Sequence, residues 1–334
     1  MILAKPKFKG ILILLCLILL GLFLLSLTLG SSHLSLTTIL KALLGQTDKK
    51  TSLILLNIRL PRVLAALLAG ASLALSGLLL QTLTRNPLAD SGILGINAGA
   101  GIVIALAISF FKTTPSFIAF LPLLAMAGAF ATVMVVYLIS RKQNHDIDPF
   151  RLIITGVGIS TMLSGLMVSI IGNIDRFKVQ YIVNWLSGQI SGDNWPTLLL
   201  ISPLLIALWL LAYSRSRSLN IMTLNEQTAT ALGLNLLKER WITLLLSTAL
   251  ASLSVVMVGN ITFIGLIAGH ISRKFVGSNH LILLPVTLLM GMIVLLIADT
   301  IGRVFLVGTG IPTGLVVSII GAPYFLYLMK TSRD

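Results

Sequence analysis

Apolar positions in this chain gather into long blocks, and polar positions gather into short breaks between them. An apolar block of about 20 residues crosses a bilayer core at about 1.5 Å of rise per residue. Ten such spans are predicted, at 10–30, 61–83, 91–111, 117–140, 150–172, 195–213, 240–258, 261–277, 281–306 and 312–329. The predicted fold class is therefore all-α, a polytopic membrane protein with about ten transmembrane helices in one domain over 1–334. The eighth span is expected to be short or tilted, because Gly265, Gly269 and His270 interrupt it and Arg273 and Lys274 close it. The run from Ile11 to Leu29 is long for the apolar part of a signal peptide, and no A-x-A-like site follows, so it is read as a retained first span.

The second and third blocks form the most distinctive stretch, Arg59 to Gly101: RLPRVLAALLAGASLALSGLLLQTLTRNPLADSGILGINAGAG. Pro61 suits a first helical turn, where its missing N–H costs nothing. Ala66, Gly70 and Ala74 fall four apart and leave one face without bulk, a face that another helix backbone can approach. Gly95 and Gly99 repeat that spacing. Between the two helices, Asn86-Pro87 disfavours continued helix at residue 86.

Composition agrees with the pattern: 56% of residues are hydrophobic and 10% charged, with a mean hydropathy of +1.02. The net charge of +14 does not indicate nucleic acid, because the basic residues are scattered between apolar spans. With Lys5 inside, the ten spans place both termini in the cytoplasm. Of the 24 basic residues, 15 then fall inside and nine outside, in the sense of the positive-inside tendency. Lys142, Arg215 and Arg217 are among the inner ones; Lys112, Arg59, Arg62 and Arg303 are outer. The single cysteine, Cys16, excludes an intrachain disulfide and a cysteine-based metal site.

Three loops carry further signals. Outer segments are predicted at 31–58 and 173–194, and Trp185 in the latter and Trp195 just after it are read as anchors at the membrane boundary. The longest inner loop spans about 214–239. In it, Thr223 and Glu226 match a capping box, Ala229 continues the helix after them, and Leu232-Gly233 suggests a left-handed stop. A helix so short must pack on something.

Recognisable catalytic chemistry is missing. The chain has no G-x-x-x-x-G-K-[ST] phosphate loop, so it is not expected to hydrolyse ATP, and no metal-ligand spacing or cofactor site is read. His270 reads as a packing or interfacial residue. Asp299 is the one acidic residue predicted within a span, with Arg303 one turn on as its structural partner. Gly156, Gly158, Ser160, Thr161, Ser164, Gly165 and Ser169 give the fifth span a small, mildly polar surface. That surface suits either tight helix packing or the wall of a path, and the charged loop from Arg141 to Pro149 would gate its end.

The Arg59–Gly101 string resembles the signature of the FecCD-type family, with its run of LPR, GA, SG, Q, NPLA and LG-x-x-x-GA. The stretch from Gly259 to Arg273 is similar to the family's G-x-I-x-F-x-GL-x-x-PH-x-x-R, and Asp299 to Arg303, Ile311 to Gly314 and Gly321 to Tyr327 extend the likeness over about 55–329. Gly269 departs from the usual proline, and Thr309-Gly310 stands where an acidic residue often precedes Ile-Pro. These drifts suggest a permease that works beside a paralogue.

The resemblance implies a permease subunit of a binding-protein-dependent (type II) ABC importer in the cytoplasmic membrane, most often for a ferric siderophore. Cobalamin and haem are the alternative cargoes. It also implies partners: a second permease, identical or paralogous, two ABC ATPase subunits, an extracytoplasmic binding protein and membrane lipid. Arg59, Arg62 and Arg303 would meet carboxylates of the binding protein. Thr223, Glu226, Ala229, Leu232 and Gly233 would form the ATPase coupling helix, with Ala229 displaced by one position from the family's E-x-A spacing. Gly156, Ser160, Thr161 and Ser164 would line the path. Two other classes stay open on the residues alone: an ion-coupled carrier, and an intramembrane hydrolase using Ser164 or Ser254 with His270.

Overall fold

A computed structural model of the chain describes residues 5–30, 34–92, 94–111, 114–141, 149–172, 175–190, 194–305 and 311–331. Lys112, Lys142 and the rest of the 142–148 gate, Asp193, Thr309-Gly310 and Arg333 lie outside the described residues. The helices are α1 (Lys5–Thr28), α2 (Leu36–Leu43), α3 (Lys49–Leu53), α4 (Leu60–Thr84), α5 (Ile96–Phe110), α6 (Pro115–Ser140), α7 (Pro149–Ile171) and α8 (Arg176–Leu186). There follow α9 (Trp195–Ser214), α10 (Ser216–Met222), α11 (Glu226–Ala231), α12 (Leu236–Val258), α13 (Ile264–Val276), α14 (His280–Phe305) and α15 (Thr313–Thr331). Among the described residues, eight helical runs are long and apolar enough to cross a membrane. At the two other predicted positions stand α5, with 15 residues, and α13, with 13.

The bundle is built around α4, which is buried nearly all round. The face without bulk serves as its sequence suggests. A Cβ on Gly70 would lie 2.4 Å from the Gly291 carbonyl of α14, and one on Gly77 would lie 2.4 Å from the Gly265 Cα of α13. Backbones this close gain dispersion contacts that bulkier residues would forbid. At Gly269, where the resemblance leads one to expect proline, a Cβ would lie 2.9 Å from the Gln81 amide of α4.

The second span does not begin at Pro61. Helix runs without a break from Lys49 through α3, a π-helical turn at Ile54–Arg59 and into α4. The π turn accommodates the proline. The Leu60 N–H donates to the Leu55 carbonyl, and position 61, the π partner of Leu56, has no N–H to give. The Leu56 carbonyl instead accepts from the Trp195 indole at 2.9 Å. Trp195 therefore satisfies an orphaned carbonyl. Trp185 is a correction too: it is buried in the core, against Gly101 of α5, and is not a boundary anchor.

Two breaks interrupt the helices, the first partly exposed at Arg85 and Pro87 and the second enclosed by neighbouring helix ends. Arg85 ends α4 in the left-handed region, at φ 50°. Asn86 then accepts the Leu88 N–H at 2.9 Å, and buried Asp90 accepts from the N–H of Phe263, the N-cap of α13, at 3.3 Å. The second break, at 259–263, interlocks with the ends of α8 and α15. The Asn260 N–H donates to the Trp185 carbonyl, and the Gly314 N–H to the Gly188 carbonyl. Irregular backbone at membrane depth is tolerated where it is buried in protein, as at this second break, or lines a water-filled cavity.

Large apolar side chains cover the outside instead. Ile13 and Leu17 of α1, Leu199 and Leu204 of α9, and Ile319 and Leu326 of α15 are all exposed. A surface of that kind calls for lipid or for another membrane helix.

Candidate functional site

Three arginines of the sequence reading lie at one end of the bundle, and two of them, Arg62 and Arg303, share one carboxylate. Asp299 of α14 is fully buried. Its Oδ1 accepts from Arg62 Nε at 3.0 Å and Nη2 at 2.9 Å, and from the Thr313 hydroxyl at 3.1 Å. Its Oδ2 accepts from Arg303 Nε at 2.9 Å, the pairing expected one turn along the helix. Arg303 Nη2 reaches Ser26 of α1, at 2.5 Å to its hydroxyl and 3.2 Å to its carbonyl. Arg59 has a different environment from the expected basic rim. It is 5% exposed, and its Nη1 donates to the last carbonyls of α1, Leu27 at 2.7 Å and Thr28 at 3.2 Å. The cluster thus ties together α1, α4, α14 and the start of α15, with two cations on one carboxylate and Arg59 on the end of α1. The part of it that solvent reaches is mainly Arg62.

At the opposite end, roughly 35 Å away along α4, lies the 215–235 segment. The capping box expected of Thr223 and Glu226 is corrected. The Thr223 hydroxyl turns back to the Asn220 carbonyl at 2.7 Å, so it is spent on α10. Asn225 is the N-cap of α11 and accepts the Thr228 N–H at 2.7 Å. Glu226 opens the helix and pairs with Arg240 of α12, a side chain 3% exposed. Gly233 has φ +81° and closes the helix. Its N–H donates to the Thr230 carbonyl and that of Leu234 to Ala229, the paired bonds of a Schellman motif. Ala229 is buried against the body of the protein, while Leu224 and Leu232 stand exposed on an otherwise polar loop.

Along α7, Gly156 is buried, Ser160 half-buried, and Thr161 and Ser164 exposed. The two exposed hydroxyls donate to carbonyls one turn back, Val157 at 2.9 Å and Ser160 at 2.8 Å. Gly158 and Gly165 face open space, so their small size serves no packing within this chain. The four residues lie on one helix, but Gly156 and Ser160 turn toward Gly95 at the start of α5, while Thr161 and Ser164, like Val157, Met162 and Leu166, are uncovered.

The model of the FecCD transport family matches residues 17–331. The chain belongs to the FecCD transport family. Among the relatives of this FecCD chain is the iron(3+)-hydroxamate import system permease protein FhuG of Bacillus subtilis (strain 168), 38% identical over 316 residues that cover 93% of this chain and 94% of that one. Another is the ferric enterobactin transport system permease protein FepD of Escherichia coli (strain K12), 38% identical over 309 residues, covering 92% and 90%. A solved structure of a metal-chelate type ABC transporter in an inward-facing conformation superposes with a TM-score of 0.83 at 33% identity, over 97% of this chain and 99% of that one.

In this FecCD chain the arginine end depends on residues that sequence reading passed over: Ser26, 36 positions from Arg62, and Thr313, on a different helix from Asp299. Nothing local marks them. Asn225 carried a signal, since asparagine ranks with the best N-caps, but the Thr-x-x-Glu spacing beside it competed. Among the described residues there is no group of three or more His, Cys, Asp or Glu arranged to hold a metal. His270 is half-buried, edge-on to the Tyr324 ring at 5.9 Å between centroids.

Proposed function

We propose that this chain is the membrane-spanning subunit of a binding-protein-dependent ABC importer that carries a ferric siderophore across the cytoplasmic membrane. The observation that supports this most is likeness along almost the whole length to permeases named for iron(3+)-hydroxamate and ferric enterobactin. The loop end fits the role. A short, doubly capped helix holds its buried Ala229 on the bundle and presents Leu224 and Leu232 to the outside. Exposed leucines on a loop beyond the bilayer are suited to a groove in an ATPase subunit. The loop end is then cytoplasmic, both termini are cytoplasmic, and the arginine end meets the binding protein.

The uncovered α7 face fits the wall of a path between two permeases, identical or paralogous. Its hydroxyls are already engaged by their own helix, so a passing chelate meets weak contacts and is not retained. In the arginine cluster, Arg62 is the docking group we favour, with Arg303 behind it and Arg59 as the anchor of α1.

Proteoliposomes holding this chain, its ATPase and its binding protein test the proposal. ATP inside the vesicle orientation that exposes the ATPase should drive uptake of iron-55 as a ferric hydroxamate. Uptake that persists in an ion gradient with no ATPase present would refute it. Competition by haem or cobalamin at equal concentration separates the alternative cargoes.

A further inference from the structure

Two polar clamps fasten the 215–235 segment to the same pair of helices that carries the arginine cluster at the far end. The first is Arg85, held in the left-handed region where α4 stops. Its Nε donates to the Met222 carbonyl at 3.3 Å and its Nη2 to the Leu224 carbonyl at 2.5 Å. The Met222 carbonyl is the last of α10, where a cation also meets the negative end of that helix dipole, and the Leu224 carbonyl lies in the turn before α11.

The second clamp joins α10 to α14 and α4 through buried His280. The Oδ1 of Asn220 accepts the His280 backbone N–H at 2.8 Å. That N–H can only donate, so the atom it meets is the amide oxygen. The His280 Nδ1, 2.9 Å from the same oxygen, therefore carries its proton. On the other side of the ring, Nε2 lies 2.8 Å from the Thr82 hydroxyl of α4. The Asn220 amide nitrogen completes the network by donating to Asn279 at 3.0 Å.

Helices α4 and α14 are in turn locked to each other by the approach of Gly70 to Gly291, and at the far end by Arg62 on Asp299. They form one strut from loop to arginine cluster. The flank of α11 away from Arg85 rests on α12 through Glu226 and Arg240.

We propose that Arg85 and Asn220 are positioning residues that couple the loop to the α4–α14 strut, so that displacement of α11 by the ATPase is delivered to the binding-protein face. This rests on the importer reading above. It assigns the delivery to α4 and α14, where the Glu226–Arg240 contact alone would assign it to α12.

The test uses the full complex in proteoliposomes, with the wild-type chain, Arg85→Ala, Asn220→Ala and Arg85→Lys. The two alanine variants should insert, bind the ATPase and hydrolyse ATP within about twofold of wild type, while siderophore moved per ATP falls roughly tenfold, as expected when charge-assisted bonds at a joint are lost. Arg85→Lys should recover most of the ratio, since an ammonium can donate to both carbonyls. Hydrogen exchange on the permease alone gives a second readout: amides of 225–234 should exchange roughly tenfold faster in Arg85→Ala, with α4 and α14 unchanged. An unchanged transport-to-ATP ratio in both alanine variants overturns the proposal, as does unchanged exchange at 225–234. If Arg85→Ala fails to insert, Arg85→Gln, which keeps one donor, supplies the same comparison. A wild-type complex without ATP-driven uptake would instead refute the importer reading itself.

Discussion

Replacing Asp299 tests whether the arginine end is held by charge. The carboxylate is fully buried, while the Arg62 and Arg303 side chains are 23% and 14% exposed. Removing one partner of a buried pair costs about 3–5 kcal/mol, mostly because the other charge is left uncompensated. Here both guanidinium groups retain some access to water, so we lower the expectation to about 2–3 kcal/mol for Asp299→Ala. Asp299→Asn keeps the shape and one acceptor oxygen and should lie between the two. Exchanging the whole cluster for apolar side chains, as Asp299→Leu with Arg62→Met and Arg303→Met, removes the charges together and should destabilise less than Asp299→Ala alone. The assay is denaturant or thermal unfolding in detergent micelles, followed by tryptophan fluorescence. A double-mutant cycle between Asp299→Ala and Arg62→Ala isolates their coupling. If Asp299→Ala is as stable as wild type, or if the triple variant is the least stable of the set, the cluster is not an ionic staple.

Other expectations follow from single contacts. Arg59→Ala should free the last carbonyls of α1 and cost about 1–3 kcal/mol in the same unfolding assay, whereas Arg62→Glu should slow binding-protein association most at low ionic strength, read by surface plasmon resonance at two salt concentrations. Gly70→Val would drive a side chain into the Gly291 carbonyl and should cost at least about 1–3 kcal/mol, visible as loss of monodisperse protein in size-exclusion chromatography. Glu226→Ala should leave insertion intact but lower ATPase stimulation, because Arg240 loses its carboxylate; normal stimulation would count against the seating of α11. Trp195→Phe should leave the Leu56 carbonyl without its indole and cost about 1 kcal/mol, with faster amide exchange confined to the turn around Ile54–Arg59.

The sequence alone determined the class and the order of the spans. Long apolar blocks cannot be satisfied in water, and helices are the simplest way to satisfy their backbone in lipid. It also marked the Ala66–Gly70–Ala74 face of α4 as one that another backbone could approach, and Gly70 does meet Gly291 there, whereas the approach of Gly77 to Gly265 came from the structure. The stop at Gly233 was legible for a similar reason: the left-handed conformation there is inexpensive only for glycine.

Tertiary structure decided which polar groups would find which partners. Asp299 had one visible partner, Arg303, because i and i+4 are neighbours on any helix. Arg62 lies 237 positions away and comes to the same carboxylate only because α4 packs on α14. Arg59 looked like a surface charge and became a buried donor, because the frayed carbonyls of α1 end beside it. Thr223 and Glu226 had the spacing of a capping box, yet the end of α10 took the hydroxyl and α12 took the carboxylate. Trp185 and Trp195 share a residue type, but one fills the core and the other completes a carbonyl that Pro61 left unpaired. Hydrophobicity and helix propensity act locally and can be read along the chain. The pairing of a buried donor with its acceptor depends on elements far apart in sequence, and only their packing brings them within 3 Å.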